Sequence, residues 1–205
     1  MLSIPPLLFS GLVVALRKSR VLILGHSIVY WAGKYASESG WGADLGLGDN
    51  ICINWSGHRG LRWPALLETA ASEVYRFGTP SLLILQLGEN DLPGTTGRNL
   101  LQSIVADLTT LQLRLPDTLI AWSCLLERLN WRGAAAPEKV DLARRRVCKG
   151  AARFITSYSG LVIRHPDITH RIPALYRTDG VHLSDWGTDV WLQDIRGALL
   201  QWSQA

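Results

Sequence analysis

The stretch "VLILGHSIVYW", Val21 to Trp31, places four apolar residues before a glycine, follows them with a histidine and a serine, and then turns apolar again. A run as apolar as Val21–Leu24 reads as a strand covered on both faces, the pattern of a parallel sheet. In open α/β sheets, ligands gather outside the carboxyl ends of such strands. Ser27 stands at that end. Taken alone it reads as a helix N-cap as readily as a nucleophile, so the remainder of the chain has to decide.

Four more apolar runs bounded by turn residues follow, Ile51–Ile53, Leu82–Leu87, Leu119–Trp122 and Leu161–Ile163. Segments with helical spacing separate them. Ile28 to Ser37 is one, and Pro64 opens another with Leu66, Leu67, Ala70 and Val74 on its stripe. A third spans about 98–115 and is stopped by Pro116, a fourth spans 138–158, and the last, 186–202, has Ser184 placed to cap it. This alternation predicts a single α/β domain, a five-stranded parallel sheet with helices on both faces.

Composition agrees with one compact domain. The 205 residues are 47% hydrophobic and 19% charged, enough to bury a sizeable core and too apolar for a disordered chain. Cys52, Cys124 and Cys148 show no C-x-x-C spacing, so neither a disulfide framework nor a zinc site is expected, and a reducing, cytoplasmic setting fits. The domain is expected over 20–205, with residues 1–19 an apolar extension. In that extension Arg17 and Lys18 follow the apolar run, whereas a signal peptide carries its charge first. Pro5 and Pro6 would interrupt a helix, and the run of sixteen residues is short for a membrane span.

Charge is uneven. Residues 128–177 hold eleven Lys and Arg against three Asp and Glu, while the whole chain carries only +4. Such asymmetry points to an anionic partner, with Arg145, Lys149 and Arg153 on one face of the fourth helix. The plainer reading of the same run is a solvated helix face. No RNA-binding aromatic motif accompanies it.

The chemistry is carried by short motifs at the ends of the predicted strands. "GHS" holds Ser27, "NWSGHRG" holds Gly57, "LGEND" holds Asn90, and "DGVHLS" sets Asp179 three residues ahead of His182. Acyl transfer needs a hydroxyl activated by a base, a group that orients the base, and donors for the oxyanion. Ser27, His182 and Asp179 can fill the first three roles. Backbone N–H groups of Ser27 and Gly57, with the Asn90 amide, can form the oxyanion hole; Gly60 is the alternative to Gly57.

Serine first, Asp-x-x-His last, and Gly and Asn between them resemble the SGNH (GDSL-type) hydrolase family, over Val21 to about Trp202. "LGEND" is similar to that family's "GxND" block, "DGVHLS" to its "DxxH" block and "WSGHR" to its glycine block. The resemblance implies a flavodoxin-like three-layer α/β/α sandwich and a serine esterase that hydrolyses a short acyl ester, such as an acetyl ester, through an acyl-enzyme. It also implies no metal or organic cofactor, and a small-molecule, lipid or carbohydrate ester as substrate. One departure stands out, "GHS" where the family has "GDS". "GHS" blocks are similar to vertebrate sequences related to mobile elements, and esterase domains of this family occur in LINE-type retrotransposon proteins. Two other functions remain open at this point, an O-acyltransferase using the same triad and a catalytically silent interaction or nucleic-acid-associated module.

Other residues are weighed individually. His26 reads as a structural member of its loop rather than a second base, and it is also counted with His58, Trp41 and Trp131 as bordering the substrate. The loops Gly40–Asn50 and Leu125–Pro137 are the expected pocket walls. His165 and His170 read as solvated, Asp91 as a turn stabiliser, and no histidine pair has metal-ligand spacing on a helix. Asn54 begins a formal glycosylation sequon, but a glycan there would crowd Gly57.

Overall fold

A computed structural model describes residues 18–204. Of the extension expected at 1–19, all but Lys18 and Ser19 lies outside these residues, and Ser19 already belongs to the first strand.

Five strands form one sheet: β1 (Ser19–Gly25), β2 (Ile51–Gly57), β3 (Leu82–Gln86), β4 (Leu119–Ser123) and β5 (Leu161–Ile163). Their order is β2-β1-β3-β4-β5 and every pairing is parallel. The helices between and after them are α1 (Ser27–Glu38), α2 (Leu66–Phe77), α3 (Gly97–Arg114), α4 (Pro137–Ser157) and α5 (Asp185–Ser203). This is the three-layer, doubly wound arrangement of a flavodoxin-like sandwich.

The side chains of β1 alternate between two cores. Val21 and Ile23 pack with α1 and α5, whereas Leu22 and Leu24 pack with α2, α3 and α4. The two central strands are therefore apolar on both faces, and Leu83, Ile84 and Leu85 of β3 are fully buried. Each such side chain contributes roughly 1.5–3 kcal/mol through its removal from water. The crossover from β1 through α1 moves outward to β2. The chain then passes beneath the sheet through α2 to β3, so the winding reverses between β1 and β3.

Two boundaries differ from the sequence reading. β2 continues to Gly57 through Asn54 and Ser56, because its ladder with β1 persists after the apolar run has ended. Pro64 lies in a short 3-10 turn, Trp63–Ala65, and α2 begins only at Leu66. Ser184 caps α5 as expected, its Oγ accepting from the Gly187 amide at 3.1 Å. Among the described residues no helix is long and apolar enough to cross a membrane.

Candidate active site

The winding reversal leaves a crevice above the carboxyl ends of β1 and β3, the switch point where this architecture binds ligands. Ser27 opens α1 there. Its Oγ lies 3.0 Å from His182 Nε2, and His182 Nδ1 lies 2.6 Å from Asp179 Oδ2. The other Asp179 oxygen accepts the backbone amides of Val181 at 2.9 Å and His182 at 3.0 Å. Burial pushes the Asp179 carboxyl up. The two amides and the imidazole outweigh it and hold the group well below the usual carboxylate range. An ionised Asp179 accepts a hydrogen bond from Nδ1–H, which leaves the Nε2 lone pair facing the serine hydroxyl.

Backbone pairing presents this pair to Ser27. Arg177 N–H donates to the His182 carbonyl at 2.8 Å, and an antiparallel bridge joins Tyr176 to Leu183. Cap and base are thus set by one compact segment that runs directly into α5.

Three N–H groups near Ser27 are free to donate to an anion. Ser27 is the first residue of α1, so its N–H has no acceptor within the helix and lies at the positive end of the helix dipole. Asn90 gives one amide hydrogen to the Leu61 carbonyl at 3.0 Å and accepts from Arg128 at 3.1 Å. Its second amide hydrogen has no partner among the described residues. The third donor is in the turn that Leu61 N–H closes on the His58 carbonyl at 3.0 Å. Gly60 occupies the third position of that turn with φ +80°, the left-handed value a type II turn needs, and such a turn leaves the N–H of its third residue unbonded.

Gly60 lines the crevice with Ser27, Asn90 and His182; Gly57 does not. Gly57 ends β2 beneath α1, where an added Cβ would come within 2.1 Å of the Tyr30 backbone nitrogen. The amide given to β1 at this level is that of His58, which donates to the Gly25 carbonyl at 2.9 Å. The Gly57 amide therefore faces the open edge of the sheet, and the glycine expected to stabilise the oxyanion is a packing residue instead.

His26 is fully buried and does not line the crevice. Its Nδ1 accepts the Ile28 amide at 3.3 Å, capping α1, so Nε2 carries the hydrogen donated to Glu89 Oε2 at 2.7 Å. Glu89 is itself buried and also receives Gln86 Nε2 at 2.5 Å and Leu126 N at 3.0 Å. Burial pushes this carboxyl up, but His26, Arg128 and the Leu126 amide bring it down to about 2. The chain continues laterally. Gln86 Oε1 accepts from Ser123 Oγ and, at 3.3 Å, from Trp191 Nε1, and Ser123 meets His165 Nε2 at 2.8 Å. His165 Nδ1 then reaches Asp194 at 2.8 Å. A buried polar chain therefore underlies the crevice, and His26 is its end beside Ser27.

Several further expectations are corrected. His165 is buried in this chain rather than solvated. His58 turns away to Ser56 and Glu73. Trp41 uses its indole N–H on Asp189 at 2.7 Å, far from Ser27 along the α1–α5 face, and Trp131 is core, 4% exposed. Hence Gly40–Asn50 is no wall of the crevice. Asp91 does more than stabilise its turn, since both its oxygens accept the Trp63 amide at 3.1 and 3.0 Å and tie the Asn90 turn to the segment that follows Gly60. His170 is exposed as expected, paired with Glu127. Arg145, Lys149 and Arg153 are exposed on α4, with Arg145 paired to Asp141.

Sequence reasoning passed over the arginines. Arg59, Arg62, Arg128 and Arg132 line the crevice with Trp31. The signal was present in "GHRGLRW" and "LLERLNWR", two arginines in each of two loops that follow strand ends. Arg132 also donates to Asp179 Oδ2 at 3.2 Å. Among the described residues no cluster of three or more His, Cys, Asp or Glu is placed to hold a metal ion.

With this geometry in view, solved structures supply the comparison. The psychrotrophic esterase EstA from Pseudoalteromonas sp., in a structure inhibited by monoethylphosphonate, superposes with a TM-score of 0.68 at 15% identity, covering 92% of this chain and 100% of that one. The chain has that fold. A GDSL-like lipase from Bacteroides thetaiotaomicron gives 0.68 at 17% identity, covering 89% and 88% of the two chains. The lipase/acylhydrolase from Enterococcus faecalis gives 0.65 at 15%, covering 86% and 93%. No protein-family model matches the chain, and no curated protein matches it in sequence.

Proposed function

We propose that the protein is a serine esterase of the SGNH type, hydrolysing a short acyl ester through an acyl-enzyme. The observation that carries this reading is the unbroken line Ser27 Oγ, His182 and Asp179, with contacts of 3.0 and 2.6 Å, ending at a helix N-terminus. The esterase, lipase and acylhydrolase names of the structural neighbours support it.

The steps follow from the geometry. His182 Nε2 takes the Ser27 proton as Oγ attacks the ester carbonyl, and Asp179 stabilises the imidazolium that forms. Negative charge collects on the former carbonyl oxygen, where the N–H groups of Ser27 and Gly60 and the free Asn90 amide hydrogen receive it. Asn90 is held on both sides before substrate arrives, so these donors need little reorganisation during the reaction. His182 then returns the proton to the departing alcohol. Water, activated by the same ring, attacks the acyl-enzyme and releases the acid.

The crevice has a volume of about 390 Å³ and its apolar lining is limited to Trp31, Pro93 and Val181, which suits a short acyl chain. The test is fluorophosphonate labelling together with p-nitrophenyl acetate and butyrate hydrolysis. The wild type is expected to label and turn over; Ser27→Ala is expected to do neither, and His182→Ala to lose turnover at least ~10³-fold. Labelling that survives Ser27→Ala, or a folded wild type inert to both probes, overturns the reading.

A further inference from the structure

The crevice around Ser27 is lined by four arginines and no acidic side chain. Arg59 and Arg62 flank the Gly60 turn on one side, and Arg128 and Arg132 face them from the loop after β4. Two of these guanidinium groups have duties inside the protein, Arg128 on Asn90 and Arg132 on Asp179. Arg59 and Arg62 have none of that kind. Among the described residues no carboxylate lies within ion-pair distance of Arg59, Arg62 or Arg128, and Arg59 only rests over the Tyr30 ring at 5.3 Å. Arg128 is largely withdrawn from water over Trp131, and that burial lowers its pKa from the usual arginine value. Asp179 balances Arg132, but Arg59, Arg62 and Arg128 gather in a concave, partly dry space with no directly paired carboxylate, so they repel one another and are relieved when an anion enters.

Resting on the esterase reading above, we propose that the natural substrate is itself an anion. It is a small, water-soluble ester bearing a carboxylate or phosphate a few bonds from the scissile carbonyl, gripped by Arg59 and Arg62. The planar guanidinium fork matches both groups and binds either through two parallel hydrogen bonds. Arg128 and Arg132 add to the field from the far wall. A remote charge is held equally in the ground and transition states, so this grip acts on KM rather than kcat. Because Arg59 and Arg62 are exposed, the grip weakens as salt rises.

Two matched substrate pairs test this. Mono-p-nitrophenyl glutarate against its methyl-capped diester puts the charge on the acyl side. 4-Acetoxybenzoate against its methyl ester puts it on the alcohol side. At low salt at least one anionic member is expected to exceed its capped partner in kcat/KM by ~10- to 100-fold, the range of a charge-assisted pair, and the margin is expected to shrink at 0.5 M salt. The double variant Arg59→Gln/Arg62→Gln is expected to lose that preference at least ~10-fold through KM. The loss is scored as the ratio of anionic to capped substrate within each pair, which a general change in activity leaves unmoved, and a melting curve checks that the variant is folded. Equal rates within both pairs, or a preference that survives the double variant, overturn the proposal.

Dibutyryl glycerol phosphate in solution and its long-chain counterpart in vesicles separate a free anion from a lipid headgroup. Hydrolysis of the soluble form supports the proposal, and hydrolysis confined to vesicles overturns it. Calorimetric binding of glycerol 3-phosphate to Ser27→Ala separates this idea from the esterase reading. An inactive wild type whose Ser27→Ala form binds the phosphate, and loses it with Arg59→Gln/Arg62→Gln, refutes the esterase and keeps the anion site. An active wild type without charge preference does the reverse.

Discussion

His26→Asp writes the "GDS" of the resembling family into this chain, and it is expected to weaken the protein. His26 is fully buried with Nε2 2.7 Å from Glu89 Oε2, so the change removes a charge-assisted donor and faces one carboxylate with another. Removing one partner of a buried pair typically costs ~3–5 kcal/mol, a large share of the ~5–15 kcal/mol that holds a domain. The sign with pH follows from Glu89. In the wild type its folded value, about 2, lies below the ordinary 4.5. That difference corresponds to stability on the order of 3 kcal/mol, fully present above the unfolded value and lost as pH falls from there toward 2. In the variant, two carboxylates share the site and the folded value rises above the unfolded one. Stability is then favoured at low pH and lost as pH climbs through the raised value. Urea unfolding followed by tryptophan fluorescence, at pH 4.5 and pH 7.5, reads both effects. The variant is expected to lose ~3–5 kcal/mol at pH 7.5 and at least ~1 kcal/mol less at pH 4.5, and Glu89→Gln in the same background is expected to recover part of the loss. A variant as stable as wild type at pH 7.5, or a deficit indifferent to pH, refutes the reasoning.

Two shorter predictions concern the crevice. Asp179→Asn leaves an acceptor for the Val181 and His182 amides but no longer secures the Nδ1–H tautomer, so kcat for p-nitrophenyl acetate is expected to fall ~10³–10⁴-fold with little change in melting temperature; a loss under tenfold removes Asp179 from the proton relay. Gly57→Ala meets the Tyr30 backbone and is expected to lower the melting temperature while the folded fraction keeps wild-type KM, whereas Gly60→Ala strains a φ of +80° and is expected to lower kcat; the opposite pattern would return the oxyanion role to Gly57.

Much of this architecture is written locally. β1 and β3 are legible because strands buried on both faces admit only apolar residues, and α5 because Ser184 offers its own capping oxygen. The order of Ser27, Asn90, Asp179 and His182 marks a site because each stands where a strand ends or a helix begins. What escaped depends on contacts between distant segments. Nothing near His26 announces Glu89, sixty-three positions away. Tryptophans in loops suggested pocket walls, yet a tryptophan's bulk serves a core equally well, and only the packing shows Trp131 inside and Trp41 tied to Asp189. Gly57 and Gly60 differ by a turn geometry that no spacing rule separates. The four arginines form no motif of their own, and their significance comes from two loops facing each other across a gap.

The polar chain beneath the crevice bears on how such a sequence can diverge. Glu89, Gln86, Ser123 and His165 each complete the valences of the next, so exchanging any single one for a hydrocarbon side chain strands a neighbour in a dry interior. Drift through that floor is therefore barred one step at a time. His26 joins the same chain through Glu89, so the pose of the nucleophile is tied to residues far from it in sequence.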